Sequence, residues 1–389
     1  MYAVDRTTVA VRAKYRLACM WCDAVLDAAL VYRCPECSGA LEPRYSLADA
    51  TRHRSRFPER VYFDFLPLGD PELLDDGLTR RTACRPAPKL GAAIGVPDLW
   101  VKQECDQFTG TTKDRLAATV LAVLRQFQVR EFVASSTGNS ATALARAVQR
   151  DPAMRVHFFC GQEFVSSHAL GQDDRITLTV VPGSYADAGA AARRFATEND
   201  LHLDAGFFNW ARREGLKLAY LEAFDQMDRR PDVVVQAISS GMGVVAAHKG
   251  LREYLELGEL GEMPRFLMVE EDTCAPAATA WQEGRASLTA ADRIDRPTGL
   301  ATAILLGDAA PYYPYLHSIA TETAGAIVSA SAAELVESRR MLAALEGVDV
   351  CYASAAAVAG VRREAAAGRI GRDETVLVNL TGRGRAPAA

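Results

Sequence analysis

The sequence predicts an α/β protein of two domains, each built on a mostly parallel sheet with helices against its faces. Three observations carry that expectation. From about residue 99 to residue 380, short apolar runs of strand length alternate with longer amphipathic runs of helical period. The chain has 389 residues, more than one hydrophobic core usually serves. The composition is globular, 49% hydrophobic and 24% charged.

Taken in chain order, the first distinctive stretch is "CMWCDAVLDAALVYRCPEC", residues 19–37. Cys19 and Cys22 form one CxxC and Cys34 and Cys37 a second, a spacing at which two knuckles can close a tetrahedral thiolate site on structural zinc. Pro35 favours a tight turn in the second knuckle. Four thiolates leave no open position for substrate, so a catalytic metal is not expected; the alternatives are empty or redox-active knuckles. The basic run "TRHRSRFPER" (51–60) reads as a solvated linker. Strands are expected at "LWVKQE" (99–104), "EFVAS" (131–135), "VHFFC" (156–160), "ITLTVV" (176–181), "DVVVQA" (232–237), "RFLMVE" (265–270) and "TVLVNL" (375–380). Helices are expected at 114–128, 188–200 and 244–257. The tail from about residue 385 should fray.

Charge and hydropathy exclude several classes. A formal net charge of −5 supplies no broad basic field for nucleic acid. No apolar run reaches membrane-spanning length and the N-terminus has no apolar signal core, so a soluble, cytoplasmic protein is expected, with its nine cysteines mostly reduced. The six histidines show no HExxH spacing.

In open α/β sheets ligands bind at loops leaving the C-terminal ends of strands. One such loop is "FTGTTKDR" (108–115), where Lys113 stands at the start of a helical run. A first-turn lysine faces the positive end of the helix dipole, which favours the neutral, nucleophilic amine needed for a Schiff base; the plainer reading is an ordinary solvated lysine. The loop "SSTGNS" (135–140) offers hydroxyls and backbone N–H groups at a helix start, suited to a carboxylate, or simply to N-capping. In "ISSGMGVV" (238–245), Ser240, Gly241 and Gly243 let amides close round a phosphate, although neither a Walker ending nor a full GxGxxG is present. The run "VNLTGRG" (378–384) ends a strand in the hydroxyl of Thr381, which could face an aromatic nitrogen or sit in an ordinary turn.

The order of these motifs resembles the fold type II pyridoxal-phosphate enzymes of the tryptophan synthase beta-like architecture, and within them the threonine synthase and cysteate synthase group. "TGTTKDR", "SSTGNS", "NWARREGLKLAYLE" (209–222), "EGVDVCYASAAAVAGV" (346–361) and "LTGRG" carry the resemblance, from the cysteine knuckles to Gly384. The chain departs from it at Gln107 and Phe108, where threonine synthases usually carry Asn-Pro, at Arg383, where they usually carry histidine, and at Met242 and Val244, where a richer glycine run is common in the phosphate loop.

The resemblance implies pyridoxal 5'-phosphate as cofactor, held by Lys113 as an internal aldimine, with Lys113 then acting as acid and base. Asn139 would bond the ring hydroxyl oxygen; Ser240, Gly241, Met242, Gly243 and Val244 would hold the phosphate; Thr381 would meet the pyridine nitrogen. Thr109, Gly110, Thr111 and Thr112, with Ser136, Thr137 and Gly138, would bind substrate. The implied plan is a zinc-ribbon-like lobe at 1–45, a large cofactor-binding domain at 46–105 and 215–389, and a small substrate-binding domain at 106–214, in a homodimer. The implied reaction is β-elimination and β-replacement on a small amino acid with a phosphoserine-type leaving group, through an aminoacrylate, a small nucleophile completing it. The alternative chemistry is that of threonine synthase, γ-elimination and β-hydration of O-phosphohomoserine. A more distant alternative is a non-catalytic zinc-ribbon interaction protein on a former enzyme scaffold.

Overall fold

A computed structural model describes residues 14–136, 138–183 and 185–384. The chain divides into two compact units, one of residues 1–79 and 116–215, the other of residues 80–115 and 216–389. The division differs from the expected plan, in which residues 1–45 form a lobe of their own. Residues 46–79 fall with the 116–215 unit, and residues 106–115, including Lys113, fall with the 216–389 unit. The physical reason for the second is a backbone pairing between the lysine loop and the chain's last strand, described below.

The 80–115/216–389 unit is built on a six-stranded sheet. Its order is Ala326–Ala330, Arg265–Glu271, Val233–Ala237, Val376–Asn379, Leu99–Lys102 and Cys84–Pro86. All neighbours are parallel except the short edge strand Cys84–Pro86. Val233–Ala237 and Val376–Asn379 are buried along their whole length, as strands covered on both faces must be, which is why they read as unbroken apolar runs. The core includes Val235, Val269 and Val378 from the sheet with Ala355, Val358 and Val361 from the helix Tyr352–Ala366.

The other unit carries a four-stranded parallel sheet in the order Ile176–Val181, Arg155–Gly161, Glu131–Ser135, His202–Leu203. Ala188, Ala192 and Ala196 of the helix Tyr185–Glu198 pack on Val133 and Phe159. This unit also holds the cysteine-rich segment, a three-stranded antiparallel sheet of Tyr15–Cys19, Val25–Leu26 and Leu41–Tyr45. That segment docks on Trp210, whose indole N–H donates to the Val31 carbonyl at 2.8 Å and whose ring lies 5.7 Å from Tyr15.

The seven expected strands are all present, with ends shifted by three residues or fewer, and the three expected helices are Lys113–Gln126, Tyr185–Glu198 and Met242–Glu256. The strand Ala326–Ala330 lies outside the expected set, because its central apolar pair, Ile327 and Val328, gives too short a run to read. Among the described residues no helix is long and apolar enough to cross a membrane.

Candidate active site

Three loops leave the C-terminal ends of three adjacent strands in the six-stranded sheet. Leu99–Lys102 leads into the Lys113 loop, Val233–Ala237 into the glycine loop, and Val376–Asn379 into Thr381. Adjacent parallel strands bring loops that are far apart in sequence to one edge of the sheet, the usual place for a ligand in such folds.

The lysine loop is joined to the closing strand by backbone pairing. Thr112 N–H donates to the Thr381 carbonyl at 2.9 Å, Arg383 N–H to the Gly110 carbonyl at 2.8 Å, and Thr111 bridges Gly382. Cys105 N–H adds a bond to the Leu380 carbonyl at 2.8 Å. Gly382 is held in turn by Ser354, whose hydroxyl accepts from its N–H at 2.9 Å and donates to its carbonyl at 3.0 Å. Within the loop, Asp114 accepts from the N–H and hydroxyl of Thr109 at 2.8 and 2.6 Å. Lys113 N–H faces the Thr111 hydroxyl at 3.4 Å, and Lys113 itself is half-buried.

Beneath the loop lies an ion network absent from the sequence expectations. Arg115, two residues after Lys113, is 0% exposed and donates to both carboxylate oxygens of Glu104 and to Glu222, each at 2.8 Å. Lys102 also donates to Glu222, at 2.5 Å, and to the Thr82 carbonyl at 2.8 Å. Burial alone would raise the Glu104 carboxyl, yet the facing Arg115 and Lys102 hold it down at about 2. Glu222 is lowered too, against its burial, by the same two cations, while burial lowers Lys102 despite Glu222 beside it. A sequence signal was present: Lys102 and Glu104 stand within a stretch read as a sheet strand, where a charge must find a partner.

The glycine loop opens the helix Met242–Glu256. Gly241 takes φ +71, a left-handed conformation glycine adopts without strain, and a Cβ on Gly243 would collide with the Gln236 amide. Among the described residues the N–H groups of Ser240, Gly241, Met242 and Gly243 make no hydrogen bond, whereas that of Val244 already donates to the Gly241 carbonyl at 2.9 Å. Unpaired amides at a helix N-terminus are anion donors. Tyr220, Gln236 and Asn379 form a buried cluster that ties the strand before this loop to the strand before Thr381; Asn379 donates to Tyr220 at 3.0 Å and to Gln236 at 3.2 Å. Thr381 is half-buried and its hydroxyl makes no hydrogen bond among the described residues. A phosphate-bearing pyridine aldehyde fits this set, which offers unpaired amides for the phosphate, a free hydroxyl and a lysine on joined loops.

Asn139, Ser136 and Gly138 belong to the other unit, at the start of the helix Asn139–Arg150. There the Ser136 hydroxyl accepts from Gly138 N–H at 3.2 Å and Ala141 N–H at 3.1 Å, so it caps the helix. Asn139 is half-buried with its side chain unengaged among the described residues, and Thr137 lies outside them. In the cysteine segment the four Sγ atoms of Cys19, Cys22, Cys34 and Cys37 lie within 4.8 Å of one another. A Cβ on Gly39 would stand 3.2 Å from the sulfurs of both Cys19 and Cys37. Tetrahedral Zn–S bonds of about 2.3 Å place sulfurs ~3.8 Å apart, so the set could hold such a metal.

The model of the family described as pyridoxal-phosphate dependent enzyme matches residues 76–382. The chain belongs to this family. A threonine synthase of Methanosarcina acetivorans is 29% identical over 377 residues, covering 95% of this chain and 91% of that one. A cysteate synthase of Methanospirillum hungatei is 27% identical over 391 residues, covering 96% and 90%. Among solved structures, maize serine racemase superposes with a TM-score of 0.65 at 17% identity, over 79% of this chain and 91% of that one. The processed form of threonine deaminase isoform 2 from Solanum lycopersicum also gives 0.65, at 15% identity, over 79% and 85%. The fold is that of the fold type II pyridoxal-phosphate enzymes.

Proposed function

We propose that the protein catalyses β-elimination and β-replacement on a small amino acid carrying a leaving group at Cβ, with Lys113 as the residue that holds pyridoxal phosphate. The observation that carries this reading is the joined pair of loops, which sets Lys113 and the unengaged hydroxyl of Thr381 on neighbouring backbone. When bound, the cofactor supplies a sink for the electron pair left by the α-proton. A neutral hydroxyl at the pyridine nitrogen keeps that sink weak, which suits elimination and replacement better than transamination.

The chain's own residues supply the rest. Ser240, Gly241, Met242, Gly243 and Val244 would hold the cofactor phosphate, and Asn139 would bond the ring oxygen. The Lys113 Nζ takes the proton from Cα. The bond from Cβ to the leaving group then breaks and its electron pair goes with the leaving group. The nucleophile's electron pair forms the new bond at Cβ, and Lys113 returns the proton to Cα. Thr109 to Thr112, with Ser136, Thr137 and Gly138, bind the amino-acid carboxylate and amine. The four cysteines hold a structural zinc; one equivalent of metal in the purified protein supports this, and none after growth in zinc-replete medium removes it.

A second reading keeps the cofactor and moves the leaving group to Cγ, as in threonine synthase. It is favoured by the 29% identity to the Methanosarcina protein. Incubation with O-phosphoserine, acetylserine, cysteine and O-phosphohomoserine, each with the visible spectrum and released product followed, separates the two. Turnover of a serine-type donor supports β-replacement. Threonine and phosphate from phosphohomoserine, with the others silent, supports the second reading. No cofactor band in any condition returns the non-catalytic alternative.

A further inference from the structure

A cavity of roughly 550 Å³ opens in the unit that carries Lys113, lined by Arg80 to Ala83, by Asp106 to Gly110 of the lysine loop, and by Arg383. Three arginines line it against a single carboxylate, Asp106. Arg383 donates to that carboxylate at 2.7 Å. The Arg80 guanidinium lies 4.0 Å from the centre of the Phe108 ring, which is itself 45% exposed. Arg81 is exposed and makes no hydrogen bond or ion pair among the described residues.

Arg80 and Arg383 are tied to the lysine loop through their backbones. Gln107 clamps the Arg80 backbone from both sides, its Oε1 accepting from the Arg80 N–H at 3.1 Å and its Nε2 donating to the carbonyl at 2.8 Å. The Arg383 N–H donates to the Gly110 carbonyl at 2.8 Å. Three of the positions that depart from the resembled motifs, Gln107, Phe108 and Arg383, are among the residues that line this cavity. A concave site with surplus guanidinium charge and planar donors suits an oxyanion.

We infer that this cavity is a subsite for a doubly charged oxyanion group, with Arg81 and Arg383 as its ligands, either carried on the amino-acid substrate or arriving free in solution. The inference deepens the proposed function and rests on its placement of the reaction at the lysine loop. Asp106 holds Arg383 in place until the anion engages it, and Arg81 supplies the uncompensated charge. Substrates whose side chains lack such a group bind without using these residues.

The test is calorimetric titration of the protein saturated with pyridoxal phosphate, which fills the glycine loop and removes it as a competing anion site. The probes are O-phosphoserine for a substrate-borne group, inorganic phosphate for a free one, and serine as the control without an oxyanion. Arg81→Gln and Arg383→Gln should each weaken the oxyanion probes about tenfold or more and leave serine unchanged. Arg81→Lys should restore part of the loss, and Arg340→Gln, which lies in a surface pair with Glu337, should change nothing. Loss confined to O-phosphoserine assigns the group to the substrate; loss for inorganic phosphate as well assigns a site open to free oxyanions. Unchanged affinity in both arginine variants, equal loss in Arg340→Gln, or no oxyanion binding by the parent protein overturns the inference. Failure of the cofactor reading is seen separately, as absence of any visible cofactor band. The same arginine contrast can then be read on the cofactor-free protein.

Discussion

Glu104 and Glu270 both stand near the C-terminal ends of strands in one unit, and both are sealed from water, at 0% and 2% exposure. Their carboxyls nevertheless move in opposite directions. Glu104 meets Arg115 and Lys102 and is held at about 2 in spite of its burial. Glu270 is pushed by burial up to about 8, opposed only by the backbone N–H groups of Ala278 and Ala277. Burial is common to the two, so the counter-charge decides the sign. One carboxylate is a permanent anion under the lysine loop; the other is a neutral acid capping the helix Pro276–Gln282, with Ala278 N–H 2.8 Å from its oxygen.

The largest expected effect comes from removing the counter-charge. Arg115→Met leaves Glu104 and Glu222 buried without their main partner, and should cost about 3–5 kcal/mol in urea unfolding. Because Arg115 follows Lys113 by two residues, cofactor stoichiometry should fall as well. A stable variant with full cofactor content would break the comparison, since the network would then not be what holds the loop.

Glu270→Gln should act in the other direction. The folded state holds the Glu270 proton up to about 8, whereas the unfolded chain releases it near the ordinary value of 4.5. Between those two values the folded protein binds more protons, so stability falls as pH rises, and the glutamine variant removes that slope. The variant should gain on the order of a few kcal/mol over the parent at pH 8 and little at pH 4.5. Melting curves of both proteins across that range read it; parallel curves would contradict the assignment.

A smaller effect belongs to Glu104 on the acid side. Its folded value lies below the ordinary 4.5, so its contribution is complete above 4.5 and is lost as pH falls toward about 2. An acid limb in stability that Arg115→Met abolishes would sharpen the comparison, and one that the variant keeps intact would assign the limb to other carboxylates.

Much of the fold could be read from the sequence because fully buried parallel strands are unbroken apolar runs; "DVVVQA" and "TVLVNL" became adjacent central strands. The lysine, glycine and threonine loops were readable because each follows such a strand. The domain plan of the lysine loop was not, because it depends on Thr112 and Arg383 pairing with backbone on the far side of the chain, and backbone pairing leaves no mark on side-chain identity. Of the ion network, only Lys102 and Glu104 leave a signal in the sequence. Glu222 and Arg115 sit on helices where a charged residue ordinarily faces solvent, and nothing local says that these two turn inward. Arg80 and Arg81 carry no signal for the same reason, since they stand as surface charges outside any motif.

The central claim is that Lys113 is the residue bonded to the cofactor. Borohydride reduction of the pyridoxal phosphate-loaded protein, followed by proteolysis and mass mapping, addresses it directly. The account predicts the phosphopyridoxyl mass on the peptide containing Lys113 and its loss in Lys113→Ala. The same mass on a peptide with another lysine, or on none, would contradict it.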